Sequence, residues 1–572
     1  MDPTSIRQAF DFRTMIADTA ARLPEKDFLV LQHAGTLKKV TFSAFQENVR
    51  ALCEAFFEMD IAGKSVAVIG ETSPQWIETY LAVILAGGVI VPLDKELSAE
   101  AVVGFINKVG CTAVVYSEKF ATLFDEQAGE LEKTLYRISF SQKETDAVSD
   151  DAPALGVSDF EQWIAFGKKL VTAGADRYDT NPTDMEKVCA ILFTSGTTGT
   201  SKGVMLCQKN LISAINGSYC LTQFEEEDVV VSVLPIHHTY EMTCGILTPL
   251  FMGATVCINP SLKTVLRSFQ QYKPTGLVLV PLFVTTIHKK IWETARKTGK
   301  ERFLKTGIAL SSKMRRFHLD PRRLLFKEVQ ALFGGRLKRI ICGGAAMSPE
   351  LVAEFEAFGI ALCQGYGITE CAPLISVCPE KGNRAGSVGV PIPGLAVKIE
   401  PEEEEDGKEI GEILVRGPSV MKGYFDDKQA TDEVMRDGWF CTGDYGYIDD
   451  DGYIFITGRK KNVIVLENGK NVFPEEIEEY LDRIDLVKEC VVVGRKGEDG
   501  GVLVNALIYP DFALASERGL GEDLSAIGEA IRKDVAALNR TLPSFKQIRG
   551  VEMRRTEFEK TTSQKIIRYK IR

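Results

Sequence analysis

This chain has no Cys-x-x-Cys pair; its thirteen cysteines are scattered singly, with no histidine or cysteine cluster at metal-ligand spacing. That pattern speaks against a zinc module or a disulfide framework and fits reduced thiols in a cytosolic protein. Positive charge is also short: 68 lysines and arginines against 79 carboxylates leave a net charge of −11. This is the wrong sign for a nucleic-acid binder, so any polyanion must be met by locally placed cations. No apolar run is long enough to cross a bilayer. The longest, residues 81–93, is broken by Gly87-Gly88 and Pro92 and reads as a helix end passing into a buried strand, which limits membrane contact to the peripheral kind. The first residues, Met1-Asp2-Pro3-Thr4-Ser5-Ile6, lack a basic stretch followed by an apolar core, so a secretory signal is not expected. The expected location is the cytoplasm, with peripheral docking at the inner membrane face left open. Internal repeats and low-complexity tracts are absent as well.

At 572 residues the chain exceeds what one hydrophobic core usually supports, and an apolar fraction of 45% suffices for two or more domains. The pattern along it alternates α and β. Residues 65–70 predict a buried strand, 74–85 an amphipathic helix and 89–93 the next strand, the signature of a parallel sheet with crossover helices. Residues 112–116 and 276–280 are strand-like, and residues 349–358 predict a helix with Ser348 as its N-cap. Residues 172–187 turn polar, a surface connection before a further strand. From about residue 385, short strands with turns predict a small β-rich subdomain, in which the acidic run 402–406 reads as a solvated hairpin loop rather than a metal site. Past Gly458 a compact α+β unit of about one hundred residues follows.

Residues 192–206 read Leu-Phe-Thr-Ser-Gly-Thr-Thr-Gly-Thr-Ser-Lys-Gly-Val-Met-Leu, an apolar strand entering a loop of hydroxyls and glycines with a single lysine. Gly196, Gly199 and Gly203 let the backbone turn its N–H groups toward an anion. Thr194, Ser195, Thr197, Thr198 and Ser201 add hydroxyl donors, and Lys202 adds charge. Such a loop is suited to a polyphosphate. It is not a Walker A loop, because the order Gly196-x-x-Gly199-x-x-Lys202-Gly203 lacks the G-x-x-x-x-G-K-[ST] spacing, and P-loop chemistry is therefore unsupported. A plain linker seldom follows a buried strand such as residues 189–193.

The loop resembles the phosphate-binding signature of the acyl-adenylate-forming superfamily, which contains acyl-CoA synthetases, nonribosomal-peptide adenylation domains and firefly-type luciferases. The likeness continues in the family's order through Tyr366-Gly367-Ile368-Thr369-Glu370, Gly438-Trp439-Phe440-Cys441-Thr442-Gly443-Asp444, Gly458-Arg459-Lys460-Lys461 and Glu559-Lys560-Thr561-Thr562-Ser563-Gln564-Lys565. The resemblance implies a large N-terminal α/β domain, residues 1–458, with parallel sheets, crossover helices and the small β subdomain. A small mobile α+β domain, residues 459–572, would follow a hinge near 458–462.

It implies, further, that a carboxylate attacks the α-phosphorus of ATP and pyrophosphate leaves, so charge on both must be neutralised. Lys202 and the loop amides suit the β- and γ-phosphates. Glu370 is implied as the Mg2+ ligand, with Thr369 near the α-phosphate. Gly343, Gly344 and Ala345 are small enough to let a flat ring approach the backbone, Tyr366 with Gly367 would cover its other face, Asp444 would take the ribose hydroxyls, and Arg459 would assist. Lys461 matches the pivot on which the C-terminal domain turns between adenylation and thioester formation. Lys565 matches the lysine that reaches the carboxylate in the first state, although Gln564 stands where most relatives have glycine. Residues 465–474 would face the thiol in the second.

Residues 234–241, Leu-Pro-Ile-His-His-Thr-Tyr-Glu, resemble the segment beside the acyl carboxylate, where His238 fits best. No aspartate lies between Leu234 and Gly245, so a substrate ammonium would lack its partner, which disfavours amino acids. Thr239, Thr243, Cys244, Leu282, Phe283 and Gly343 are candidate walls of the acyl pocket. Together with residues 468–478 this segment looks most like the long-chain fatty acyl-CoA synthetases of prokaryotic type. The expectation is a fatty acid:CoA ligase acting on medium- to long-chain acids with ATP, Mg2+ and coenzyme A. An acyl-carrier protein as acceptor in place of coenzyme A, and a nucleotide or acyl-AMP sensor without turnover, stay open at this point.

Overall fold

Short runs rich in valine and isoleucine, buried on both faces, form the centres of two large sheets. The protein is a computed structural model that describes residues 7–33, 35–140, 148–194, 201–222, 224–315, 320–345, 347–405, 407–467, 470–497, 501–560 and 566–571. In one sheet Gly156–Asp159, Tyr136–Phe140, Ala113–Ser117, Ser65–Ile69, Val89–Leu93 and Val188–Thr194 run parallel in that order, and Lys202–Cys207 and Gly423–Tyr424 continue the edge antiparallel. In the other, Asp27–His33, Thr255–Ile258, Val229–Ser232, Gly276–Leu279, Arg339–Gly343 and Ala361–Gly367 are parallel. Antiparallel Thr36–Thr41 lies at one edge, Leu374–Val377 and Val390–Pro391 at the other.

The crossover helices begin where the sequence supplies caps. Ser73 Oγ accepts the N–H of Trp76 at 3.2 Å and Pro74 occupies the first turn of Pro74–Leu85, a position where its missing donor costs nothing. Ser98 and Ser348 cap Ala99–Val109 and Pro349–Ala357 in the same way. Phe42–Glu58 buries Phe45, Val49, Leu52 and Phe56, and it approaches Phe160–Thr172 so closely at Gly167 that a Cβ there would lie 1.9 Å from the Ala51 carbonyl oxygen. No helix among the described residues is long and apolar enough to cross a membrane.

The acidic run is not a loop. Ala396–Glu405 is a strand paired antiparallel with Lys408–Arg416, and the pairing extends as far as Glu405 opposite Lys408. Consecutive carboxylates can extend along an edge when cations face them, and Glu402 accepts from Lys460 Nζ at 3.1 Å and from the Tyr445 hydroxyl. Trp439–Ile448, Met435–Arg436 and Ile454–Arg459 complete this five-stranded sheet. After Arg459 the chain passes through a short 3-10 turn, Lys460–Asn462, into a unit with its own core. There Ile464, Ile477, Val492, Ile508, Ile527 and Ile531 are packed by the sheet Val487–Lys496, Val502–Pro510, Gly550–Met553 and the helices Pro474–Leu481 and Leu524–Asn539.

Candidate functional site

The parallel strands deliver their carboxyl ends to one continuous cleft, the place where open α/β sheets bind ligands. Thr194 ends Val188–Thr194, Leu234, Pro235 and residues 237–240 follow Val229–Ser232, Gly343, Gly344 and Ala345 close Arg339–Gly343, and Tyr366 and Gly367 end Ala361–Gly367. All of these line it, together with Lys202, Thr369, Glu370, Asp444, Arg459 and Lys461. Ser195, Gly196, Thr197, Thr198, Gly199 and Lys565 lie outside the described residues.

Thr194 and Lys202 face each other across the hairpin, and Thr194 Oγ1 donates to the Lys202 carbonyl at 3.4 Å. The Lys202 ammonium sits 4.7 Å above the ring of Tyr424, whose hydroxyl donates to Glu370 Oε1 at 2.9 Å. Burial and the neighbouring Glu370 charge push the Tyr424 hydroxyl well above its usual value, so it stays a donor. Backbone pairing holds this arrangement: Tyr424 pairs with Val204 on the strand that begins at Lys202, and Met421 N–H donates to the Glu370 carbonyl at 2.8 Å. Sequence reading missed Tyr424, because only a long-range edge pairing brings it beside the lysine. No group of three or more His, Cys, Asp or Glu side chains among the described residues forms a metal cage. A half-buried single carboxylate beside a lysine instead fits Mg2+, which is usually held through one or two carboxylates with substrate phosphates and waters completing its shell.

Asp444 is 3% exposed, and both of its oxygens are already engaged. Tyr366 Oη donates to Oδ2 at 2.6 Å, and Arg459 Nε, its cross-strand partner, lies 2.7 Å from Oδ1. Burial acts most strongly and would lower the Arg459 guanidinium, but Asp444, Tyr366, Glu370 and Glu475 together outweigh it and hold the group above its ordinary value. Burial, then Asp444, raises Tyr366. A carboxylate offers about four lone-pair sites, which leaves Asp444 room for a further hydroxyl. Glu412, also missed from sequence, steadies the turn before it by accepting from Gly443 N–H at 3.1 Å and from Lys460 Nζ at 2.9 Å. Gly367 is required: a Cβ there would come 2.0 Å from the Pro373 carbonyl oxygen. Gly344 has φ +104°, a region glycine favours. Tyr240 lies against Gly343, with its hydroxyl 3.1 Å from the Ile341 carbonyl it donates to.

On the acyl side, the His237 and His238 rings are 4.1 Å apart, and His237 Nε2 is 3.5 Å from Asp94 Oδ2. Burial pushes His237 well below the ordinary imidazole value, which keeps it neutral. The chain then enters a π-helix, Tyr240–Leu247, a form concentrated at functional sites. Its widened turn shifts the residue phase. Thr239, Cys244, Leu282, Phe283 and Gly343 line the cleft as expected, but Thr243 does not: it is fully buried and donates to the Ala372 carbonyl at 3.2 Å. Glu241, buried in the same helix, accepts from the Ser232 hydroxyl, and burial pushes its carboxyl up to about 8.

Where the chain leaves Ile454–Arg459, Asn462 Nδ2 donates to Glu475 Oε1 at 2.6 Å, and Ile410, Tyr445 and Phe473 form one small apolar cluster. Partial burial, then Arg459, holds Lys461 below the usual lysine value. On either side of Lys565, Lys560, Ile566, Ile567 and Arg568 line the cleft, anchored where Lys560 pairs with Glu489 and Arg568 with Glu478.

The AMP-binding enzyme family matches residues 16–425, and the AMP-binding enzyme C-terminal domain matches residues 461–572. Long-chain-fatty-acid–CoA ligase FadD15 of Mycobacterium bovis is 28% identical over 510 residues, 85% of this chain and 80% of its own. Peroxisomal long chain acyl-CoA synthetase 6 of Arabidopsis thaliana is 30% identical over 516 residues, 86% of this chain and 72% of its own. ATP-bound MatB from Rhodopseudomonas palustris superposes with a TM-score of 0.72 at 25% identity over 98% of both chains. The anthranilate CoA ligase AuaEII with anthranoyl-AMP superposes at 0.77 with 18% identity, over 100% of this chain and 98% of its own, a likeness of fold.

Proposed function

We propose that this chain, which belongs to the AMP-binding enzyme family, is an ATP-dependent fatty acid:CoA ligase of the long-chain type, working in two half-reactions. The observation that carries the reading is one cleft in which Lys202, Tyr424 and Glu370 stand together and Asp444 is held by Tyr366 and Arg459, with His238 and apolar walls lining the same space. In the first half-reaction Lys202 and the loop 195–200 hold the polyphosphate, Thr369 stands by the α-phosphate, Asp444 takes the ribose, and His238 orients the acid. Glu370 would hold Mg2+, which when bound neutralises phosphate charge. A carboxylate oxygen of the acid then bonds to the α-phosphorus and the bond to pyrophosphate breaks, with Lys565 offsetting the charge.

In the second half-reaction the C-terminal domain, residues 459–572, turns about Lys461 and a thiol attacks the acyl carbonyl, releasing AMP; the thiol proton passes to solvent. The relatives named for long-chain acids support that substrate class, and the apolar lining by Leu282, Phe283 and Cys244 accords with it.

The test is release of pyrophosphate and AMP from Mg-ATP with acids from acetate to palmitate and oleate, with and without coenzyme A. Release with long-chain acids, with turnover dependent on coenzyme A, is expected. Turnover only with an acyl-carrier protein would move the acceptor, and ATP binding without release on any acid would make the protein a sensor.

A further inference from the structure

Between residues 296 and 327 eleven lysines and arginines stand against two carboxylates, Glu301 and Asp320, in a chain whose net charge is −11. The described part of this stretch is helical. Glu301–Arg315 turns Leu304, Gly307 and Ser311 inward. Successive helix residues are about 100° apart, so Arg302, Thr306, Ala309 and Lys313 share the outward line. Phe303 and Leu310, 58% and 44% exposed, flank that line one above the other. The short helix Arg322–Leu325 adds an exposed Arg323 beside Leu324, which is 81% exposed. Some of the charge is compensated: Lys300 pairs with Glu328, Lys305 with Glu301 and Arg322 with Asp320. Lys297, Arg302, Lys313, Arg323 and Lys327 make no ion pair among the described residues.

Large apolar side chains protruding singly among uncompensated cations form the pattern of a helix that lies in a membrane interface, where the apolar groups enter the headgroup boundary and the cations meet anionic lipid. The face also adjoins the site. Glu301, Lys305 and Ile308, on the edge of the same helix, line the cleft that holds His238 and Lys202.

We propose that the outward face of Glu301–Arg315 together with Arg323 and Leu324 docks on an anionic lipid bilayer, so that an acid dissolved in the bilayer enters the cleft beside its own membrane. The delivery role rests on the ligase reading. An acidic carrier protein would also be drawn to the cations, but it gives no reason for three large apolar side chains to project between them.

The full-length protein should cosediment with vesicles of phosphatidylcholine mixed with phosphatidylglycerol at least about tenfold more strongly than with phosphatidylcholine alone, and added salt should erase the difference. The triple variants Arg302→Gln/Lys313→Gln/Arg323→Gln and Phe303→Ser/Leu310→Ser/Leu324→Ser should each weaken binding about tenfold while keeping the parent's circular dichroism. Both should keep parental turnover of a water-soluble acid and lose it on an acid presented in vesicles. Equal binding to both vesicle types, no binding to either, or variants that bind as the parent does would overturn the docking face. Capture by an acidic carrier protein without vesicle binding would also overturn it. Vesicle binding by a protein that activates no dissolved acid would instead remove the ligase reading and the delivery role with it.

Discussion

At the scale of single residues, charge and burial separate two glutamates. Glu370 is half-buried, lines the cleft and accepts from Tyr424; Glu241 also borders the cleft but is 1% exposed and accepts from the Ser232 hydroxyl. Glu370→Gln keeps an acceptor for the Tyr424 hydroxyl but removes the charge a divalent cation needs. Turnover should fall about a hundredfold, with a higher Mg2+ requirement and an unchanged melting temperature; unchanged Mg2+ dependence in steady-state kinetics would refute the role.

Glu241 predicts a pH effect on stability instead. Its folded pKa, about 8, lies above the unfolded value near 4.5. Below the unfolded value both states are protonated. Between the two values the unfolded chain ionises first, so stability falls as pH rises toward 8 and levels off above it. Glu241→Gln mimics the neutral carboxyl, and in urea melts its advantage over the parent should grow from pH 5 to pH 8 by a few kcal/mol.

At the scale of elements, packing rather than propensity decides what a glycine is worth. In Ala99–Val109, Gly104 has nothing within 4 Å of a built Cβ, so Gly104→Ala should stabilise by about 0.5–1 kcal/mol. In Phe160–Thr172, Gly167 meets the Ala51 backbone, and Gly167→Ala should destabilise by about 1–3 kcal/mol or more. Thermal melts of the pair compare them directly, and equal shifts would refute the close helix crossing. Both glycines sit in helical patterns, and the sequence does not tell them apart. The same limit explains Thr243. An apolar-periodic reading assumes 3.6 residues per turn, and the π-helix Tyr240–Leu247 rotates the residue out of the cleft. The acidic run differs from expectation for a related reason: charge spacing carries no information about a cation, Lys460, that arrives from the 3-10 turn after a distant strand.

At the scale of the whole molecule, the two units meet through polar contacts such as Lys460 with Glu402 and Glu412 and Arg483 with Glu350, and through the small cluster of Ile410, Tyr445 and Phe473. Interfaces of that kind leave relative motion as the default, which supports the proposed turn about Lys461. If the turn is real, Lys565→Ala should abolish acyl-AMP formation yet still convert supplied acyl-AMP and coenzyme A to thioester. Lys461→Pro, which locks φ, should spare adenylation and block the second step. Single-turnover assays of each half-reaction separate the two, and equal loss of both halves in both variants would refute domain alternation.

The order of local motifs, determined by the sequence alone, was sufficient for the α/β architecture, the helix cap at Ser348 and the family, because each depends on residues adjacent along the chain. Tertiary structure alone decided that Tyr424 bridges Lys202 to Glu370, that Glu412 steadies the turn before Asp444, and that Tyr366 holds Asp444 from a different sheet. Those contacts join strands far apart in sequence, and their partners are selected by sheet register and strand order, which no local pattern of residue types encodes.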